Sequence, residues 1–174
     1  MGGLSGNLLW AGTIIGPHGL RGGMKVRSSP DRRLLLENRR RVVLRHPDGT
    51  LDPRQVMTVA TGKGVFLRLK EVEEVGEAEQ LRGCDILVEA EELPDDPGSD
   101  SYPFTLIGLS VIDQRLGELG AVEDFFATAA HGILVVEGPR GEVLIPALPQ
   151  FLIRVDRERK ELLVALPDGL VAEN

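Results

Sequence analysis

His18 and Arg21 lie in a glycine-dense stretch, G-T-I-I-G-P-H-G-L-R-G-G-M-K-V over residues 12–26. A cation and an imidazole beside backbone amides held open by glycine form a combination that suits contact with a phosphate. Gly16, Gly19, Gly22 and Gly23 can take positive φ without steric cost, while Pro17 fixes its own φ and pushes Gly16 towards extended geometry. The same stretch also suits a loop that closes a small barrel and touches nothing, and spacing alone does not choose between the two.

Other site chemistry lacks its usual anchors. His18, His46 and His131 are scattered, and no Cys pair or H-E-x-x-H spacing accompanies them, so no metal is expected. There is no G-x-x-x-x-G-K-[ST] phosphate loop, no G-x-G-x-x-G fingerprint and no G-x-S-x-G elbow. Glu71, Glu73, Glu74, Glu77 and Glu79 read as a solvated face rather than an acid and base pair. Cys84, the single cysteine, lies in a strand-like segment and reads as a buried structural thiol. The chain is expected to be a binding protein rather than an enzyme, with no cofactor.

The 174 residues are 42% apolar and 27% charged, ordinary for a globular protein. No segment approaches the roughly 20 apolar residues of a membrane span, and no secretory leader pattern opens the sequence, so the cytoplasm is expected. The net charge of −7 hides an asymmetry. Residues 1–70 carry 13 Lys and Arg against 4 Asp and Glu, residues 71–101 carry 1 against 12, and residues 102–174 carry 6 against 11. A basic region on an acidic protein can meet nucleic acid while the acidic part attracts basic proteins. Opposite charges can equally neutralise each other within one fold.

The elements that must position these groups read as short strands between turn residues, hence barrels rather than a wound sheet. Strands are expected at 8–15, 24–26, 42–46, 55–60, 65–70 and 84–89, with one short helix at 77–82 ended by Gly83. Residues 93–101, L-P-D-D-P-G-S-D-S, are a linker by composition. Five strands follow at 105–113, 118–125, 133–137, 142–146 and 162–166, with a turn at 138–141. The division is a first domain over 1–92, a linker over 93–101 and a second domain over 102–174.

Residues 12–26, A-E-Q-L-R-G-C-D-I-L-V at 78–88, Tyr102 with L-I-G-L-S-V at 106–111, L-G-E-L-G-A-V-E-D at 116–124, L-I-P at 144–146 and L-P-D-G-L at 166–170 together resemble the RimM ribosome maturation factors. The resemblance runs in order through nearly the whole chain. It implies a mainly β protein with an N-terminal six-stranded barrel like that of translation factors, a short linker and a C-terminal PRC barrel. It implies a non-catalytic factor, here expected as a monomer, that binds the free small ribosomal subunit and assists assembly of its head. It also implies contact with ribosomal protein S-nineteen and support for small-subunit rRNA processing.

Ribosomal proteins are generally basic, so the acidic linker and second barrel offer them a complementary surface. The basic first barrel would then approach rRNA, with Arg32, Arg33, Arg39, Arg40, Arg41 and Arg45 as candidates for phosphate contact beside His18 and Arg21. The family typically carries two adjacent tyrosines that hold the ribosomal protein, and the matching positions here are Ser101 and Tyr102. Tyr102 is the leading contact candidate, and Phe104 is the nearby aromatic that would compensate. A different reading is that of a scaffold at a membrane complex, because modules resembling the second barrel also occur in photosynthetic reaction-centre and adaptor proteins. The first-half match and the missing membrane span argue against it.

Overall fold

Strand β1 (Leu8–Pro17) alternates half-buried and buried side chains along its length, the signature of a strand with one face on a core. In the computed structural model, which describes residues 7–94, 96–97 and 102–171, it opens the first of two compact units divided between Leu93 and Pro94. The expected linker residues Asp95 and Gly98, Ser99, Asp100 and Ser101 lie outside the described residues, as do 1–6 and 172–174. Leu93, grouped by composition with the linker, is only 6% exposed and belongs to the first unit.

The first unit continues through β2 (Met24–Arg27), a 3-10 turn (Arg32–Leu36), β3 (Arg41–Arg45), β4 (Leu51–Thr61), β5 (Val65–Leu69), helix α1 (Val75–Gln80), β6 (Asp85–Glu89) and a short 3-10 turn (Ala90–Glu92). Its strands close in the order β1-β2-β5-β4-β3-β6, so the barrel has no free edge. Ile14, Met24, Leu44, Leu67 and Ile86 are fully buried inside it, each contributing about 1.5–3 kcal/mol by removal from water. Helix α1 begins two residues before the expected start because Glu74 and Glu77 form a capping box, with the Glu77 carboxylate accepting from the amides of Glu73 and Glu74.

The second unit has a 3-10 turn (Tyr102–Leu106), then β7 (Ser110–Asp113), β8 (Gly117–Ala127), β9 (Gly132–Gly138), β10 (Gly141–Pro146), β11 (Leu152–Asp156) and β12 (Glu161–Val164). Its six-stranded sheet runs β10-β9-β8-β7-β12-β11, with β7 and β12 parallel. Two expectations are corrected. Residues 105–113 are not one strand, because the turn through Leu106 buries Phe104 and Leu106 and Gly108, at φ 93°, separates it from β7. Strand β11 is additional to the five expected, and no residue in it is fully buried. An edge strand of this kind gives little alternation for sequence to show.

Candidate nucleic-acid interface

The β1–β2 hairpin carries His18 and Arg21, both exposed. The His18 amide donates to the Gly23 carbonyl at 2.7 Å, so that amide closes the loop and is not free for an anion. The imidazole lies on Phe66, with ring centroids 4.2 Å apart, and Arg68 donates from Nη2 to the Arg21 carbonyl at 3.0 Å. Gly22 sits at φ 80°, and a Cβ there would come within 2.1 Å of the Val72 carbonyl oxygen, so only glycine fits. Gly23 is not in the left-handed region, and it is needed for its close approach to the His18 carbonyl. Between these anchors Leu20 is 84% exposed at the tip.

The six candidate arginines separate. Arg32 and Arg33 donate to the carbonyls of Trp10 and Gly62 at 3.1 and 3.0 Å, and so pin the first 3-10 turn to the barrel. Arg45 pairs with Asp85 at 2.9 Å. Burial pushes Asp85 up, but hydrogen bonds from Arg45, Thr13 and Trp10 outweigh this and hold it below the usual carboxylate range.

Arg39, Arg40 and Arg41 do come together. Asn38, at φ 58°, turns the chain out of the 3-10 turn, and the three arginines then line an open groove of about 570 Å³ with Gln55, Val56, Lys70 and Glu92. Pairing of Arg41 with Gln55 on β4, and of Val56 with Leu69 on β5, brings Lys70 to this place. Arg39 donates from Nη1 to the Glu92 carbonyl at 3.0 Å. Arg41 hydrogen-bonds the Glu92 carboxylate and lies 3.6 Å from Glu89, and both acids raise its pKa, Glu92 most. Arg40 and Lys70 are exposed, and neither side chain has a hydrogen bond or ion pair among the described residues. Sequence reasoning missed Lys70, Gln55 and Glu92, which reach the groove only through strand register and the last turn of the unit.

A thiol, an imidazole and a carboxylate also converge, in a way sequence did not reveal. Cys84 Sγ is 3.3 Å from His46 Nδ1, His46 Nε2 is 3.1 Å from Asp52, and Arg54 donates from Nε to Asp52 at 3.0 Å. Cys84 is nevertheless fully buried, and burial, with the Asp52 and Asp85 charges, pushes its thiol up. An attacking thiol needs the opposite shift and an open approach, so this chain of bonds is structural. Among the described residues no group of three or more His, Cys, Asp or Glu is placed to hold a metal.

In the second unit Tyr102 is half-buried, with the Arg157 guanidinium 5.7 Å from its ring centroid. Arg157 is itself fixed by two 2.8 Å hydrogen bonds to Thr105. Ser101 lies outside the described residues. Phe104 is corrected from a contact candidate to a core residue: it is 0% exposed and packs edge-on against Phe125 at 5.0 Å. The aromatic that does reach the surface is Phe126, 39% exposed and cross-strand from Ile133, which in turn pairs with Pro146. Val135 and Leu144 form the next row of this outer face, and Leu144 is 44% exposed. Strands β8, β9 and β10 carry Glu118, Glu123, Asp124, Glu137 and Glu142 and no lysine or arginine.

A closed barrel with an arginine-lined groove, followed by an open sheet with an acidic and apolar face, defines a two-domain protein built from strands. A family model described as RimM N-terminal domain matches residues 9–93, and one described as RimM PRC barrel domain matches residues 103–170. Ribosome maturation factor RimM of Syntrophotalea carbinolica is 39% identical over 168 residues, 96% of each chain, and that of Moorella thermoacetica is 37% identical over 91% of this chain and 94% of its own. The crystal structure of a RimM from Pseudomonas aeruginosa, 30% identical, covers 92% of this chain and 98% of its own with a TM-score of 0.47. The chain belongs to the RimM family of ribosome maturation factors, and its role lies in ribosome biogenesis. No helix among the described residues is long and apolar enough to cross a membrane.

Proposed function

We propose that the chain acts in the cytoplasm as a monomer that binds the free small ribosomal subunit, assists assembly of its head and supports small-subunit rRNA processing without making or breaking a bond itself. The observation that carries this reading is the charge of a family member's two units: residues 94–174 carry 6 Lys and Arg against 14 Asp and Glu, with a carboxylate-rich face without cations across three strands, while residues 1–93, nearly neutral at 14 against 13, expose local cationic groups at Arg21 and Arg40. Cationic groups on the first unit contact rRNA phosphates, and the second unit holds a basic ribosomal protein, S-nineteen in the family's pattern, through Tyr102 and its acidic surface.

Sedimentation tests the reading. Tagged chain should travel with free small subunits and stay off complete ribosomes, and its affinity for immature subunits should fall steeply with salt. Affinity that ignores salt, or chain that stays at the top of the gradient with immature subunits present, overturns it. A Tyr102→Ala variant that folds and still captures the ribosomal protein at full affinity removes Tyr102 from the contact.

A further inference from the structure

We infer that the groove formed by Arg39, Arg40, Arg41 and Lys70 is a binding site for a backbone phosphate of RNA, and that the Glu92 carboxylate is its resident anion, displaced when the phosphate enters. The inference rests on the reading that the first unit approaches rRNA, and it specifies where and against what competitor.

Three observations converge. First, the groove already holds an anion, because the Glu92 carboxylate is hydrogen-bonded to Arg41 and its carbonyl accepts from Arg39. A phosphodiester presents two charged oxygens to the same fork of guanidinium donors. Second, the charge there is incompletely answered: Arg40 and Lys70 line the same groove with no side-chain partner among the described residues, and Arg39 Nε is buried without one. The Glu92 carboxylate pairs with Arg41, which Glu89 also approaches at 3.6 Å, and leaves Arg40 and Lys70 in the lining without a partner among the described residues. Third, Asn38, Gln55 and Val56 complete the lining and no aromatic side chain joins them. A site without a stacking platform grips the backbone and does not read bases.

Glu92 then has a definite thermodynamic role. The phosphate must displace a carboxylate that pairs in an exposed position, a cost of a few-fold in affinity. The freed carboxylate takes up a salt cation, which cancels part of the counterion release that drives RNA binding. Removing its charge should therefore strengthen binding and steepen its salt dependence together. An ordinary surface acid near the RNA would change affinity by repulsion without standing as the partner that Arg41 loses.

The test uses the full chain with a fluorescein-labelled uridine oligoribonucleotide, across a salt series, with thermal unfolding of every variant as the folding control. Glu92→Gln should bind roughly three- to fivefold tighter, with a salt slope steeper by up to about 0.7. The Arg40→Ala, Lys70→Ala double variant should bind at least about tenfold weaker with a shallower slope. Unchanged affinity and slope in Glu92→Gln would overturn the competitor role, and an unchanged double variant would overturn the site. Inorganic phosphate that binds Glu92→Gln while the oligonucleotide does not would make the groove a free-anion site and overturn its assignment to RNA. If these variants behave as wild type and immature subunits are still bound, the groove fails and the maturation reading stands. Loss of subunit binding in the wild type itself would end both.

Discussion

The first unit closes its sheet and keeps its charges outside, whereas the second leaves its sheet open and takes a charge inside. Among the described residues the two buried polar side chains, Thr105 and Asp113, both belong to the second unit. In the first, every strand has two neighbours, and the ion pairs at Arg41 and Arg45 lie at the surface, where they contribute little to stability, while that at Arg54 is half-buried. In the second, β10 and β11 are edges, the β8 and β9 backbones approach closely at Gly120, and one carboxylate is buried beside the apolar core. The difference separates two placements of charge: on the barrel it stays at the surface, and in the sheet a buried carboxylate holds the chain.

The largest test of that contrast is Gly120→Ala. Gly120 sits at φ 132°, and a Cβ would fall 2.0 Å from the Glu137 carbonyl oxygen on the neighbouring strand β9. Neither backbone can yield without breaking ladder bonds, so the second unit should lose at least about 3 kcal/mol while the first keeps its own transition. Calorimetry that leaves the second unit's transition unchanged would mean that this close approach tolerates a side chain.

Asp113→Asn comes next. The Asp113 carboxylate accepts from the amides of Arg115, Leu116 and Leu166, each at 2.9 Å, tying the β7–β8 turn to the chain after β12. Burial pushes Asp113 up, but these amides outweigh it and hold it below the usual carboxylate range. An amide there sets N–H against N–H and should cost roughly 1.5–3 kcal/mol. Because the folded pKa is depressed, the stabilisation is complete above the unfolded value near 3.9 and is lost as pH falls through the folded value. Urea titrations of the second unit should therefore converge for wild type and variant at acid pH. A gap that persists below that range would assign the effect to shape rather than charge.

Cys84 gives a smaller, kinetic reading on the first unit. Its buried thiol, pushed up by desolvation and by Asp52 and Asp85, should label with a maleimide only as fast as the barrel opens. Fast labelling in native buffer would mean that this part of the barrel opens locally.

What sequence could show follows from how local each feature is. The glycine motif was legible because a tight hairpin needs its glycines within a few residues, and Arg39, Arg40 and Arg41 were legible as a cluster because they are adjacent in the chain. Lys70 and Gln55 were not, since they reach the groove through the pairing of β3 with β4 and β4 with β5. Phe104 and Phe126 lie near the two ends of the same problem. Both sit in apolar stretches, and only the pleat of β8 decides that Phe125 points inward against Phe104 while Phe126 points outward. Strand β11 hid for a related reason: with Arg154 and Asp156 in it and no buried residue, it has no face for alternation to mark.

The smallest effect on stability belongs to Leu20→Ala, and that is its use. Leu20 is 84% exposed, so truncation removes almost no buried surface and should change the first unit's stability by less than about 0.5 kcal/mol. Its backbone is nevertheless fixed: Gly22 fits against the Val72 carbonyl, Arg68 holds the Arg21 carbonyl, and His18 lies on Phe66. A rigid hairpin that presents an apolar tip beside His18 and Arg21 loses nothing in the free protein when the tip is cut, and everything the tip contributes must come from a partner. Weaker capture of immature small subunits by Leu20→Ala, with an unchanged salt slope, would add an apolar contact to the charged ones on the barrel. Equal capture would leave only the proposed cationic contacts on the barrel and make the contrast with the apolar face of the second sheet sharper still.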